Sequence, residues 1–221
     1  GTPITRRLKV HHASVFIGEY EPARLPRDPE FQTCDDQTVL AATQCWQAFQ
    51  SATPEPCFKL LNLTELALLP NFRSALSRML LELPASKNAL TKLQESILRL
   101  VSGGAKSPNE VFKGLTQSGS VIGGYWMAGR TLAALSTCEV PTIAGLPSRC
   151  FDLELHDDAE ARRSYMASPI AITEYGERLL KNEEDYAARN KIDKWWGGTH
   201  ITNSNVWRWS EATSQLFAPR A

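Results

Sequence analysis

The stretch "DKWWGGTHI", residues 193–201, and the "VWRWS" that follows at 206–210 bring this chain closest to chemistry. Asp193 and His200 are an acid and an imidazole, the pair that can hold or orient a proton. Arg208 offers a cation, and Gly197 and Gly198 permit positive φ or a close backbone approach. With Trp195 as a wall, these six residues describe a small polar pocket for an anionic or planar ligand. Packing is the competing explanation. Four of the six tryptophans, Trp195, Trp196, Trp207 and Trp209, fall within fifteen residues. Each carries about 150–250 Å² of surface that is costly to leave in water. The expectation is that the indoles seal a core. An Asp193–His200 contact is allowed by the spacing but not required by it.

Other candidate chemistry is weaker. His11 and His12 with Asp35 and Asp36 suggest a metal, yet neighbouring residues on a strand point to opposite faces. "HDD" at 156–158 reads as a solvated loop. "SGGAKS" at 102–107 faintly echoes a phosphate loop, but its glycines end one helix and Ser107 caps the next. The nucleophile-elbow, Walker, dinucleotide-binding and zincin patterns are all missing. Five cysteines, odd in number and without a C-x-x-C pair, point to buried thiols in a reducing cytoplasm. No catalytic residue, metal site or cofactor is assigned.

These residues must be positioned by ordinary globular material. The chain has 221 residues, 43% hydrophobic and 22% charged, enough for one large or two small domains. It contains no apolar run of about 18 residues to span a bilayer. Twenty-four basic and 24 acidic residues cancel, so affinity for nucleic acid would need a local basic patch. "GTPITRRLKVHH" has neither an initiator methionine nor an apolar signal core, which points to a trimmed or excised segment.

Residues 1–86 read as a strand at 13–17, a proline-rich loop, and three helices. The first has Asp35 or Asp36 as cap and Val39, Ala42, Trp46 and Phe49 on its buried face; Thr53 caps the second; Phe72, Leu76, Met79, Leu80 and Leu83 line the third. Residues 87–184 hold a capping box at Thr91 and Gln94, a helix from Ser107, and a third helix with Trp126, Met127, Leu132 and Leu135 as core. Strands then flank the "HDDAEARR" loop, and Thr173 caps a last helix. That order predicts a winged helix-turn-helix. Residues 185–221 form a cap in which "THI" pairs with "VWRW" across "TNSN".

A winged helix invites nucleic acid. Lys106, Lys113, Arg130 and Arg149 are the phosphate candidates, but the 121–137 helix carries only Arg130 as a cation and no Asn or Gln to read bases. Glu154, Asp157, Asp158 and Glu160 in the wing would repel a backbone. This pattern favours protein docking.

Several stretches together resemble a bacterial family described only as a domain of unknown function. They are "CWQAFQS", "LPNFRSALSRMLLELPASKNALTKLQESIL", "SPNEVF", "ITEYGERLL" and "ARNKIDKWWGGTHI…VWRWS", spanning roughly residues 38–209. Members look similar to F-P-S-T-x-N-G-L-S at 83–91 and N-G-I-D-R-W-L-G-G-V-H-L…W-R-W at the end. The chain departs from them at Lys191 and Trp196. The resemblance implies an N-terminal α/β domain, largely absent from this chain, ahead of a helical part and a C-terminal module. It implies no reaction.

The expected fold is therefore mainly α, of α+β class: a strand-plus-helices segment, a winged helix-like domain and a tryptophan-rich hairpin cap. The expected role is a non-catalytic interaction or regulatory module in a bacterial cytoplasm. DNA binding, or an enzyme or small-ligand site at the terminal motif, are the alternatives.

Overall fold

A computed structural model of the chain describes residues 9–10, 31–63, 67–69, 71–118 and 124–219. The expected strand at 13–17 and the His11–His12 pair lie outside them. Strand β1 (Lys9–Val10) pairs antiparallel with β2 (Gln32–Thr33). Helix α1 (Asp36–Phe49) begins where the Asp35 carboxylate accepts the Thr38 amide at 2.7 Å.

The buried stripe of α1 is Ala41, Cys45 and Ala48. This corrects the expected Val39, Ala42, Trp46 and Phe49 face by one residue, about 100° of helix. Small side chains let the helix lie close to the core and leave Trp46 58% exposed. Helix α2 (Glu55–Leu60) has Pro54 at its cap and no side-chain capping bond; the Thr53 hydroxyl donates to the Glu55 carboxylate instead. Helix α3 (Phe72–Leu80) buries Leu76 and Leu80, and Leu83 follows into the core.

Helix α4 (Lys92–Ser102) carries the expected capping box and buries Leu93, Ile97, Leu98 and Val101. Gly103 stops it, and Gly104 turns away at φ +107°. Ser107 accepts the Glu110 amide at the start of α5 (Pro108–Ser118), while the Glu110 carboxylate reaches back to the Lys106 amide. In α6 (Gly124–Thr137) Leu132 and Leu135 are core, but Met127 is exposed and Trp126 only half-buried.

Strand β3 (Ile143–Ala144) pairs antiparallel with β4 (Ala171–Ile172). The intervening segment corrects the loop reading: it folds into α7 (Leu153–Asp157) and α8 (Ala159–Met166). Of the aspartates that suggested a solvated loop, Asp157 ends α7 and Asp158 caps α8, accepting from Glu160 and Ala161; Asp152 caps α7, accepting from Leu155. Phe151, Leu155 and Tyr165 close a small second cluster against Ala133 of α6. Thr173 caps α9 (Glu174–Leu180) as expected, and α10 (Tyr186–Arg189) follows.

Strand β5 (Asp193–Trp196) pairs with β6 (Thr199–Thr202), and β7 (Arg208–Ser210) with β8 (Gln215–Phe217). The expected pairing of 199–201 with 206–209 is thus corrected. Two glycines give β6 a tighter partner, and Asn203 in the "TNSN" turn spends its side chain on Ile192, Ala187 and Asn190. The architecture is α+β, with helices dominant and sheets of two short strands each.

One buried cluster runs from Cys45 through α4 and α6 to Trp209. Its seam is the connection at residues 81–91. Asn88, buried there, donates to the Leu179 carbonyl and Asn182 side chain, accepts the Leu90 amide, and gives its own carbonyl to Tyr186. Ala89 is forced to φ +58° while its methyl is packed. An L-residue there costs about 1–2 kcal/mol relative to a right-handed conformation. Ala89→Gly should leave stability within about 1 kcal/mol of the parent, strain relief offsetting the lost methyl and added chain entropy. Ala89→Val, branched in a left-handed site, should cost at least roughly 2 kcal/mol. Urea midpoints at constant slope check both.

Candidate functional site

The β5–β6 hairpin has two faces of different character, as strand alternation requires. Lys194, Trp196, Thr199 and Ile201 turn inward; Asp193, Trp195, His200 and Thr202 turn outward. The inner face is scaffold. The Trp196 Nε1 donates to the Met79 carbonyl at 2.9 Å, and the Thr199 hydroxyl to the Ser51 carbonyl at 3.2 Å.

Lys194 gives its ammonium to the Glu82 carbonyl at 2.6 Å, at the end of α3. The Glu82 carboxylate accepts the Leu93 amide in the first turn of α4. A cation at a helix C-terminus and an anion at a helix N-terminus both answer the helix dipole. Burial nevertheless pushes the Lys194 ammonium below its ordinary value and the Glu82 carboxyl above its own, with their mutual attraction opposing each shift.

The double glycine packs against protein. Gly197 turns at φ +56°, and a Cβ there would fall 2.2 Å from the Phe49 carbonyl oxygen. A Cβ on Gly198 would meet the Gln50 carbonyl oxygen at 2.0 Å, and its amide donates to Phe49 at 2.8 Å. The hairpin tip is clamped onto the end of α1. Trp196, Trp207 and Trp209 are buried as the packing argument requires. Trp209 also exchanges backbone bonds with Pro84 and Ser86.

The outer face differs. Trp195 is 67% exposed, which corrects its place among the core indoles. It stacks on His200, its cross-strand partner, with centroids 4.5 Å apart and planes at 9°. His200 Nε2 lies 2.9 Å from Asp193 Oδ1, and Lys191 Nζ is 3.1 Å from Asp193 Oδ2. Hydrogen bonding to His200, then to Lys191, holds the Asp193 carboxyl below the usual carboxylate range. The arrangement can present a planar aromatic surface beside a charge cluster. It is a face and not an enclosed pocket.

Arg208 does not join it. Its guanidinium pairs with Asp185 at 2.8 Å and donates to the Ala85 carbonyl at 3.3 Å. Asp193, Trp195 and His200 therefore come together, Gly197 and Gly198 serve packing, and Arg208 is structural. Lys191 joins the cluster, which spacing alone did not single out.

Among the nucleic-acid candidates, Lys106, Lys113 and Arg130 are exposed, and Arg149 reaches Glu154 at 3.9 Å. They lie on the connection before α5, on α5, on α6 and ahead of α7, a scattered set. No helix among the described residues is long and apolar enough to cross a membrane. No family model, curated protein or solved structure matches the chain.

Sequence reasoning missed a hollow of about 480 Å³ between α1 and α3, lined by Trp46, Phe49, Phe72 and Met79 among others. Its signal was a large aromatic sharing a helical stripe with Ala42 and Cys45.

Gly198→Ala forces a methyl into the Gln50 backbone and should destabilise the fold by roughly 2–3 kcal/mol, read as a lowered urea midpoint. The carboxyl of Asp193 titrates lower in the folded chain than in the unfolded one. Its contribution to stability is thus present above about pH 3.9 and lost as pH falls through the lower folded value. In His200→Ala the side-chain carboxyl resonance of Asp193 should titrate at higher pH than in the parent, read by NMR.

Proposed function

We propose that this chain is a non-catalytic protein-interaction module, built on a winged helix-like middle part and working in a reducing cytoplasm. The observation that carries the reading is the concentration of exposed apolar side chains at its N-terminal end. Leu40, Trp46, Leu63 and Leu68 each expose more than a third of their surface within residues 40–68. Isolated exposed apolar residues are ordinary; these four fall within one segment, and the reading is that together they offer a surface another protein covers. The occupant that fits is a folded domain, such as the α/β domain implied by the resemblance.

Support for the winged helix-like part comes from α4, α5 and α6 packing on one another, followed by the β3–β4 pair. Its wing carries the α7–α8 helices, whose Glu154, Asp157, Asp158 and Glu160 face a DNA backbone unfavourably. The polar residues nominated for chemistry support the same conclusion, since several of them are engaged in holding the scaffold.

The test is affinity capture from the native cell extract followed by mass spectrometry. The expected result is a partner retained by the parent chain and by Lys113→Glu, and lost with Leu40→Glu/Leu63→Glu. Retention of the same proteins by all three would overturn the assignment of the surface. A gel-shift titration with random duplex at low salt should show no complex; a salt-sensitive shift abolished by Arg130→Ala would establish the DNA reading instead.

A further inference from the structure

Among the described residues, no charged side chain lines the hollow between α1 and α3. Trp46, Phe49, Phe72 and Met79 form its walls with Leu76, and Asn71 contributes an amide. Cys45 and Cys57 complete the floor, and burial pushes the Cys57 thiol up to about 11, so it stays protonated and acts as an apolar wall. Protein interiors are close-packed, and the apolar walls of a concavity open at its rim forgo dispersion contacts and stay in water until something fills it.

Size decides what fills it. At about 480 Å³ the hollow lies inside the range of roughly 300–1,000 Å³ that takes one small molecule. A stable protein interface engages about 20–30 residues a side, far more than line this space. Charge decides the chemistry. With no cation or anion among the described residues of its walls, a charged group buried against them would go unpaired at high cost. We infer that the α1–α3 hollow is a binding site for one uncharged apolar small molecule, aliphatic or aromatic.

The walls also connect the site to the rest of the fold. Trp46 lies 6.0 Å from Phe49, centroid to centroid, and Phe49 meets Trp196 edge-on at 5.8 Å. The carbonyl of Phe49 is the one that receives the Gly198 amide. A ligand against Phe49 therefore touches the residue on which the C-terminal hairpin is clamped. The second hollow, of about 360 Å³ beside the 81–92 connection, is of the opposite kind: Lys92 and Glu211 line it and pair with each other at 2.9 Å.

N-phenyl-1-naphthylamine, uncharged and fluorescent, is the probe for the test. Titrated into the full chain, it should bind saturably at one site, with energy transfer from tryptophan. Ala75 and Ala42 stand on the rim of the hollow and are themselves exposed. Ala75→Phe and Ala42→Phe should each fill it and weaken binding at least tenfold with unchanged circular dichroism. Ala134→Phe, on the exposed side of α6, should bind like the parent. If both rim variants misfold, the Met79 methyl resonance of the parent should shift on saturation with the probe. Absence of saturable binding, retention of affinity in folded rim variants, or an unmoved Met79 methyl would overturn the assignment. Leu40→Glu/Leu63→Glu should bind the probe normally, so loss of the protein-docking reading leaves this one standing.

Discussion

Two buried carboxamides hold this architecture together. Strands here are two to four residues long, so sheet ladders satisfy few backbone groups and the remainder must find other partners. Asn88 bridges the connection before α4 to α9, Asn182 and Tyr186. Asn190 does the same further along, accepting the Val140 amide at 2.8 Å and donating to the Val140 carbonyl at 3.3 Å. That second pair reproduces one rung of a β-ladder with a side chain. Removing either amide would strand several buried donors and acceptors at once, each costing about 1–3 kcal/mol.

With the seam fixed, the terminal motif divides by face. Its inward residues and its glycines bind α1, α3 and α4 together, and its outward residues gather an exposed stack of Trp195 on His200. Period-two alternation alone produces this separation: one hairpin serves as mortar on one side and as a displayed surface on the other. The exposed ion pairs of that surface contribute little to stability, because water screens them.

Local signals were legible. The Thr91–Gln94 capping box, the Asp35 and Thr173 caps and the Gly103 stop depend on neighbours within a turn or two, and all are present. What was not legible depends on distant contacts. The α1 stripe is rotated because tertiary packing turns the small Ala41, Cys45 and Ala48 to the core, which apolar periodicity does not encode. The α7–α8 helices were hidden by aspartates that serve equally in loops and at caps. The partner of β6 was chosen by the glycine turn against α1, a contact no local pattern encodes. Of the candidate site, the Asp193–His200 contact was permitted by spacing, whereas the exposure of Trp195 and the diversion of Arg208 to Asp185 were not visible.

The bond from Thr199 to Ser51 spans 148 positions of sequence. A nascent chain emerging from the ribosome has already released α1 long before the glycine turn that clamps it exists. Helix α1 can pack on α2 early, but the clamp that holds its end forms only once synthesis has reached Thr199.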